Sequence, residues 1–156
     1  SALTLVREYT HVVVLRTLSK GYSLAGLRFG FGVAQPKLLE GLFKLKDSYG
    51  VDAISIRVAA AAMADQAYKN RCINQVKAER EHLTMALQHL GFQVPPSHGN
   101  FVLASHKEAK AIHDTLRAQD IWVRHFPQPD LENKLRITVG TAEQNRHLLK
   151  ALSAVH

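Results

Sequence analysis

The feature that most constrains the fold is a repeated change of apolar spacing, from strand-like to helix-like, in the C-terminal part of the chain. Short apolar runs bounded by turn residues predict strands, whereas apolar residues three or four positions apart predict helices. The strand-like runs are 92–94, 100–104, 121–123 and 135–139, and helix-like spacing follows over 105–119 and from 141 onward. Strands that alternate with helices in this way predict a small α+β domain, a layer of sheet packed on helices.

Two capping signals set the expected starts of these helices. A serine or threonine followed three residues later by Glu or Gln forms a capping box, in which each residue bonds the backbone of the other. Ser105 with Glu108 and Thr141 with Gln144 both match this pattern. We therefore expect one helix to begin after Ser105 and the last helix to begin after Thr141.

A long helical pattern precedes this region, over residues 53–90. Gly91 follows directly, where a C-terminal cap is expected. Globular helices usually run for about 8–20 residues. The length of the pattern therefore predicts either a break near residues 68–70 or a helix that spans a domain boundary.

The N-terminal region reads as two strands and a helix. Residues 12–15 form a continuous apolar run, which predicts a strand buried on both faces. Residues 27–34 predict a second strand, and its glycines, Gly30 and Gly32, indicate close approach of another backbone or a ligand. Pro36 is expected to open a helix, because proline suits the first helical position.

We expect a domain boundary near residue 50. Residues 1–50 hold two strands that cannot bury a core alone, whereas residues 51–156 hold a long helix and a plausible small domain. The first two strands need neighbours that this chain does not contain. The pattern therefore predicts a piece of a larger α/β protein.

Composition excludes several classes of protein. Of the 156 residues, 46% are hydrophobic and 21% are charged, which excludes a disordered tail, a collagen or a coiled coil. We find no apolar run long enough to cross a bilayer and no secretory leader. The single cysteine, Cys72, excludes an internal disulfide and says nothing against a reducing cytosol. The net charge of +7 would suit a nucleic-acid binder, but the basic residues are scattered without interleaved aromatics. The nine histidines show no paired metal-ligand spacing. We therefore expect no nucleic-acid partner, no membrane and no metal.

Lys20 is the residue most able to carry covalent chemistry. It follows the first apolar strand, and a lysine desolvated at the rim of a sheet can act as a free amine toward carbonyl compounds. Arg28 lies eight residues on and could offer a fork of donors to a phosphate, with Ser19 adding a hydroxyl. Spacing alone leaves a solvated lysine and a structural arginine as the more frequent alternative.

Arg136 interrupts an otherwise strand-like run, residues 135–139. A charge in such a run is costly to bury unless it is paired, so an incoming anion or a fixed carboxylate should meet it. The alternative is an edge-strand arginine in solvent. Both interpretations stay open on the residues alone.

Several segments of the chain resemble class I/II aminotransferases. The run Leu18-Ser19-Lys20 through Ala25-Gly26-Leu27-Arg28-x-Gly30 is similar to the cofactor-lysine motif of that family. The segments 14–20 and 135–141, together with Gly99-Asn100-Phe101 and Trp122-Val123-Arg124, resemble the histidinol-phosphate aminotransferases in particular. The resemblance extends over essentially the whole chain and is vague only in the long helix.

The resemblance implies a fold and a set of site residues. The fold is the C-terminal part of a fold type I transferase: residues 1–50 end the large domain, and residues 51–156 form a connecting helix and the small domain. Lys20 would form a Schiff base with pyridoxal 5′-phosphate and move the substrate proton, while Ser19 and Arg28 hold the cofactor phosphate. Arg136, and secondarily Arg124, would bind the anionic group of the substrate.

The same resemblance implies the reaction and the assembly. An amino group would pass between histidinol phosphate, or a similar amino donor, and 2-oxoglutarate, in a cytoplasmic homodimer. The open alternatives are another aminotransferase of the family, for aromatic or other amino acids, a threonine-phosphate decarboxylase, and a non-catalytic stand-alone domain.

The family's complete chain is more than twice as long as this one. Its upstream part supplies the aspartate on the pyridine nitrogen, the tyrosine on the ring hydroxyl and a glycine-rich helix start. We therefore expect the 156-residue chain alone to be inactive and to bind the cofactor weakly or not at all.

Overall fold

The computed structural model describes residues 2–154, which divide into two units at Asn70. The first unit ends at Asn70, and the second begins at Arg71. The division falls inside one long helix, α4 (Gln66–His89). The domain boundary near residue 50, which the family resemblance implies, stays a prediction.

The first unit consists of a two-stranded sheet and short helices. Its elements are α1 (Leu5–Glu8), β1 (Val14–Thr17), β2 (Gly30–Val33), α2 (Pro36–Leu45) and α3 (Ala53–Ala64), with 3-10 turns at Ala2–Thr4 and Ala25–Leu27. Strands β1 and β2 are antiparallel, with Val14 opposite Val33 and Thr17 opposite Gly30. The prediction that Pro36 opens a helix is confirmed, since it is the first residue of α2.

Both predicted strands of this unit differ from the observed ones: the first is shifted toward the connecting turn, and the second is shorter and begins further from that turn. The expectation of burial on both faces is wrong for β1, in which Val14 is buried but Leu15 is 77% exposed. The reason is that β1 has a single strand neighbour among the described residues. The second strand begins only at Gly30, because the residues before it form the 3-10 turn and Arg28 has a positive φ of 55°.

The long helical pattern contains the predicted break, but the break falls at Asp65 rather than at residues 68–70. Asp65 has a non-helical ψ of 68° and separates α3 from α4. Its carboxylate accepts a hydrogen bond from the Tyr68 backbone at 2.9 Å, so it caps the helix that follows. The predicted end of that helix is confirmed, because Gly91 has a φ of +81°.

The second unit packs a three-stranded antiparallel sheet against three helices, so the predicted mixture of sheet and helices is confirmed. The sheet has the order β3 (Phe101–Ser105), β5 (Lys134–Thr138), β4 (Arg124–His125). Its inner face carries Val102, Ala104, Leu135 and Ile137. The remaining buried core residues come chiefly from α4, α5 (Ala109–Ala118) and α6 (Ala142–Ser153), and they include Leu83, Leu87, Ile112, Leu116, Leu148 and Leu152.

The two predicted capping boxes have different outcomes. The box at Thr141 is confirmed: its hydroxyl accepts from Gln144 N at 3.3 Å, and its N–H donates to Gln144 Oε1 at 2.9 Å. The box at Ser105 is wrong, since α5 begins four residues later and Glu108 makes no side-chain cap. Ser105 instead ends β3 and exchanges two backbone hydrogen bonds with Gln93.

Two other predicted strands do not form as regular strands in the structure. Residues 92–94 contribute only the bridge between Gln93 and Ser105. Residues 121–123 are irregular, and the strand starts at Arg124. None of the described helices combines the length and the hydropathy needed to span a bilayer.

Candidate functional site

The turn between β1 and β2 holds three of the predicted site residues, Ser19, Lys20 and Arg28. Backbone hydrogen bonds close this turn at its base: Leu18 N donates to Phe29 O, and Leu24 N donates to Leu18 O, each at 3.2 Å. The Leu18 side chain is 1% exposed and anchors the segment that carries the lysine. The turn is therefore fixed by its backbone and by one buried leucine.

Ser19 and Lys20 lie at the start of this turn. Thr17 Oγ1 donates to Ser19 Oγ at 2.8 Å and accepts from Ser19 N at 3.1 Å. This pattern leaves the Ser19 hydroxyl proton available to another acceptor. Lys20 is exposed rather than buried at a sheet rim, and its side chain makes no hydrogen bond or ion pair with a described residue. Both groups are thus accessible to a ligand.

Arg28 closes the other side of the turn. Its backbone lies in the left-handed region, with φ 55° and ψ 33°, which few residues other than glycine adopt. Its Nη1 donates to Ala25 O at 3.1 Å, so the side chain folds back over the 3-10 turn. One donor is used in this bond, and the remaining guanidinium donors form no hydrogen bond to a described residue.

The strand after Arg28 requires a glycine, as the sequence predicted. A Cβ at Gly30 would lie 2.7 Å from the carbonyl oxygen of Arg16 on the paired strand. Such a contact would force the two backbones apart. Gly30 therefore preserves the pairing that brings Arg28 back toward the lysine end of the turn.

The other two predicted residues, Arg124 and Arg136, lie in the second unit. They occupy directly opposite positions on β4 and β5. Leu135 and Ile137 on either side of Arg136 are buried, so strand alternation places Arg136 on the face away from the core. Two cations thus share the outer face of the sheet.

An aromatic ring supports each of these arginines. The Arg136 Cζ lies 5.4 Å from the ring centroid of Phe101, and the Arg124 Cζ lies 5.0 Å from that of Phe126. Neither arginine forms an ion pair or a hydrogen bond with a described residue. Sequence reasoning assigned no role to the rings, although the spacing of Phe126 from Arg124, two residues along an extended chain, could have indicated a shared face.

Two clefts of the second unit are lined by other residues and include neither arginine. One, of about 550 Å³, lies between the loop before β4 and the start of α6, and a larger one, of about 690 Å³, lies beside α5. Within residues 2–154 we also find no group of three or more histidine, cysteine or acidic side chains placed to hold a metal ion. The two arginines therefore lie on an open sheet face rather than in either of these clefts.

The turn that carries Lys20 and the sheet that carries the two arginines lie within a chain that matches a known enzyme family. The family described as aminotransferase class I and II matches residues 1–152. The chain therefore belongs to the class I and II aminotransferase family, and the resemblance read from its sequence is confirmed.

Three similar proteins share the name histidinol-phosphate aminotransferase. The chain is 60% identical over 154 residues to histidinol-phosphate aminotransferase 1 of Trichormus variabilis, covering 97% of this chain and 44% of that protein. Among solved structures it resembles histidinol-phosphate aminotransferase from Sinorhizobium meliloti in complex with pyridoxal-5′-phosphate, with 26% identity and a TM-score of 0.81 over 94% of this chain and 42% of that one. The Clostridium acetobutylicum enzyme of the same name shares the fold, at 22% identity and a TM-score of 0.88, over 99% of this chain and 48% of that one. The chain thus spans less than half the length of these relatives.

Proposed function

We propose that this chain supplies the cofactor lysine and the substrate-binding arginines of a pyridoxal-phosphate-dependent aminotransferase that uses histidinol phosphate as amino donor and 2-oxoglutarate as acceptor. The observation that carries the proposal is the closed turn of residues 18–29. It presents an amine, a hydroxyl and a guanidinium that retain hydrogen-bond donors for a ligand. This donor set fits the cofactor, since an aldehyde needs an amine and a phosphate needs hydroxyl and guanidinium donors.

Each residue of the turn has a distinct task. Ser19 Oγ and the Arg28 guanidinium bind the cofactor phosphate and so fix its position relative to Lys20. Lys20 Nζ would hold the cofactor through its aldehyde and, as a free amine, would move the proton of the substrate Cα. When bound, the cofactor supplies an electron sink for that carbon.

The paired arginines favour a doubly charged substrate group. Like charges directly opposite on neighbouring strands destabilise a sheet, and Arg124 and Arg136 have no carboxylate partner among the described residues. A phosphate ester brings two negative charges to this face and satisfies both guanidinium groups. The 60% identity to an enzyme named histidinol-phosphate aminotransferase supports the same donor.

The isolated chain is not expected to turn over substrate. It spans 44% of the Trichormus variabilis protein, and the resemblance assigns the aspartate on the pyridine nitrogen to the remaining part. Homodimeric assembly and a cytoplasmic location likewise stay predictions from the family. A transaminase rate from the purified 156-residue chain that matched a complete enzyme would contradict the expected inactivity.

A chimeric enzyme tests the function directly. The chain replaces the matching 154 residues of the Trichormus variabilis protein, and amino transfer from histidinol phosphate to 2-oxoglutarate is measured. We expect activity in the chimera and a loss of about a thousandfold or more in Lys20→Ala, since a covalent step is removed. The matched control is Lys37→Ala, an exposed lysine in the first turn of α2, which should leave the rate unchanged.

Covalent trapping provides a readout that does not depend on turnover. Borohydride reduction of the cofactor-loaded chimera, followed by peptide mapping, should place the cofactor on Lys20 and leave Lys37 unmodified. A folded chimera that traps the cofactor at Lys20 but uses only aromatic amino acids would overturn the choice of donor. Release of carbon dioxide from threonine phosphate without amino transfer would favour a decarboxylase instead. Trapping on any other lysine would overturn the site itself.

A further inference from the structure

We propose that Phe101 and Phe126 are positioning residues, which hold the guanidinium groups of Arg136 and Arg124 in the orientation that receives the substrate anion. The proposal rests on the proposed function of the two arginines. It assigns to the rings a role that goes beyond filling space on the outer face of the sheet.

The two rings lie on the same face as the two arginines. Phe101 is two residues from Leu103, which is the β3 partner of Arg136, so Phe101 and Arg136 are diagonal neighbours on one side of the sheet. Phe126 follows Arg124 by two residues on an extended chain. The separations between guanidinium carbon and ring centroid, 5.4 Å for Arg136 and 5.0 Å for Arg124, lie within the range of cation–π contacts.

A ring fixes an arginine differently from a carboxylate. A carboxylate occupies two of the N–H donors and neutralises the charge, so it competes with an incoming anion. A phenyl ring contacts the flat face of the guanidinium and leaves the five in-plane donors available. Neither arginine pairs with an acidic side chain among the described residues, so the rings are the observed restraint on their orientation.

The same contacts oppose the mutual repulsion of the two cations. Arg124 and Arg136 are cross-strand partners, a position in which Cβ atoms lie about 5 Å apart. Without restraint, long flexible side chains would turn away from each other into solvent and lose the geometry for a shared ligand. Stacking on Phe101 and Phe126 keeps both donors ordered before the anion arrives, which lowers the entropic cost of binding.

Titration of the 156-residue chain with inorganic phosphate, followed by NMR of the arginine Nε–Hε groups, tests this role. In the unsubstituted chain, ring currents should shift the Hε signals of Arg124 and Arg136. Phe101→Leu and Phe126→Leu, which keep most of the side-chain volume, should each abolish the shift of their own arginine. Each Phe→Leu substitution should also weaken phosphate binding about three- to fivefold. Phe→Tyr at the same positions keeps an aromatic ring, so it should retain both the Hε shift and the phosphate affinity.

A matched control uses a third arginine. Arg117 stacks on Trp122 with its Cζ 5.3 Å from the ring, in the same unit. Trp122→Leu should remove the ring-current shift of Arg117 and leave phosphate affinity unchanged. In the chimeric enzyme, the two Phe→Leu variants should raise KM for histidinol phosphate by a similar factor without lowering kcat.

The outcomes separate the two proposals. Unchanged phosphate affinity in both Phe→Leu variants, with affinity lost in Arg136→Gln, would overturn the positioning role and leave the arginine site intact. Absence of phosphate binding by the unsubstituted chain, or binding unaffected by Arg136→Gln, would overturn the arginine site and with it the role of the rings. Lysine trapping in the chimera is unaffected by either result and reports on the cofactor site alone.

Discussion

The two units of the chain differ in how much buried apolar core lies beneath their candidate site residues. Among the described residues, four apolar side chains are buried in the first unit and fifteen in the second. Arg124 and Arg136 therefore lie on the outer face of a sheet whose inner face is covered by helices. The turn that carries Lys20 is supported by two paired strands, by the buried Leu18 and by an exposed hydrogen bond from Gln66 Nε2 to the Tyr22 hydroxyl.

Apolar residues of the first unit are not scarce but exposed. Leu15, Phe43, Leu45 and Ile54 are between 67% and 85% exposed. Burial of such side chains is the main source of stability, at about 25 cal/mol per Å² of apolar surface. Since these residues stay exposed, the first unit gains little from folding by itself. The candidate site residues are therefore divided between a unit with a well-packed core and a unit with very few buried apolar side chains.

Amide hydrogen exchange should reveal the largest difference between the units. We expect amides of β5 to exchange about a thousandfold more slowly than those of β1 and β2, because opening of β5 requires disruption of the covered core. The measurement is exchange of the purified chain at neutral pH, resolved by NMR or by mass spectrometry of peptides.

Equal protection of β1 and β5 would show that the first unit is as stable as the second, and would contradict the proposed difference in stability. In the chimeric enzyme, by contrast, protection of β1 and β2 should rise, since the additional chain can cover Leu15 and its neighbours. The unsubstituted Trichormus variabilis enzyme is the reference for that rise.

Truncation of one leucine in each unit gives the next largest effect. Leu135→Ala removes a fully buried side chain of β5, so it should lower the free energy of unfolding by about 3 kcal/mol. Leu15→Ala, on the exposed surface of β1, should change it by less than about 0.5 kcal/mol. Denaturant unfolding followed by circular dichroism compares the two. A loss at Leu15 as large as at Leu135 would mean that the exposed face is covered in solution.

The same contrast explains which structural features could be predicted from sequence. In the second unit, three local signals agree with the packing: the capping box at Thr141, the cap at Gly91 and the alternation around Arg136 appear where expected. The exceptions are the capping box at Ser105 and the strands predicted at 92–94 and 121–123. In the first unit, the apolar run at residues 12–15 predicted burial that the chain does not supply. Its composition indicates a buried strand, but burial depends on neighbours that a local pattern cannot specify.

The site residues show a similar limit. A motif identified Ser19, Lys20 and Arg28, but no local rule foretold the left-handed backbone of Arg28 or its bond to Ala25. The rings of Phe101 and Phe126 were missed because a local pattern does not show which side chains of neighbouring segments come into contact. The register of β3 and β5 is needed to place Phe101 on the outer face with Arg136, whereas the two-residue spacing of Phe126 from Arg124 already indicates a shared face.

A smaller effect is expected at the cap of α6. Thr141→Ala removes the hydroxyl that accepts from Gln144 N, which should lower the free energy of unfolding of the second unit by about 1 kcal/mol. Thr141→Ser keeps the hydroxyl and is the control. The thermal midpoint of the chain, read by circular dichroism, should fall in the first variant and not in the second. An equal fall in both would assign the effect to the lost methyl group rather than to the cap.

The smallest effect should come from the titratable cap of α3 in the first unit. Asp52 accepts a hydrogen bond from Ser55 N at 2.8 Å, and hydrogen bonds from Ser55, side chain first and then backbone, hold the pKa of this carboxyl below its usual value of 3.8. A lowered folded-state pKa stabilises the helix above the unfolded pKa and ceases to do so as the pH falls through the folded value. The helical signal of α3 should therefore decline below about pH 4, whereas the hydroxyl cap of α6 does not titrate. Asp52→Asn retains a capping oxygen without the titration, so an acid response identical to that of the unsubstituted chain would exclude Asp52 as its source.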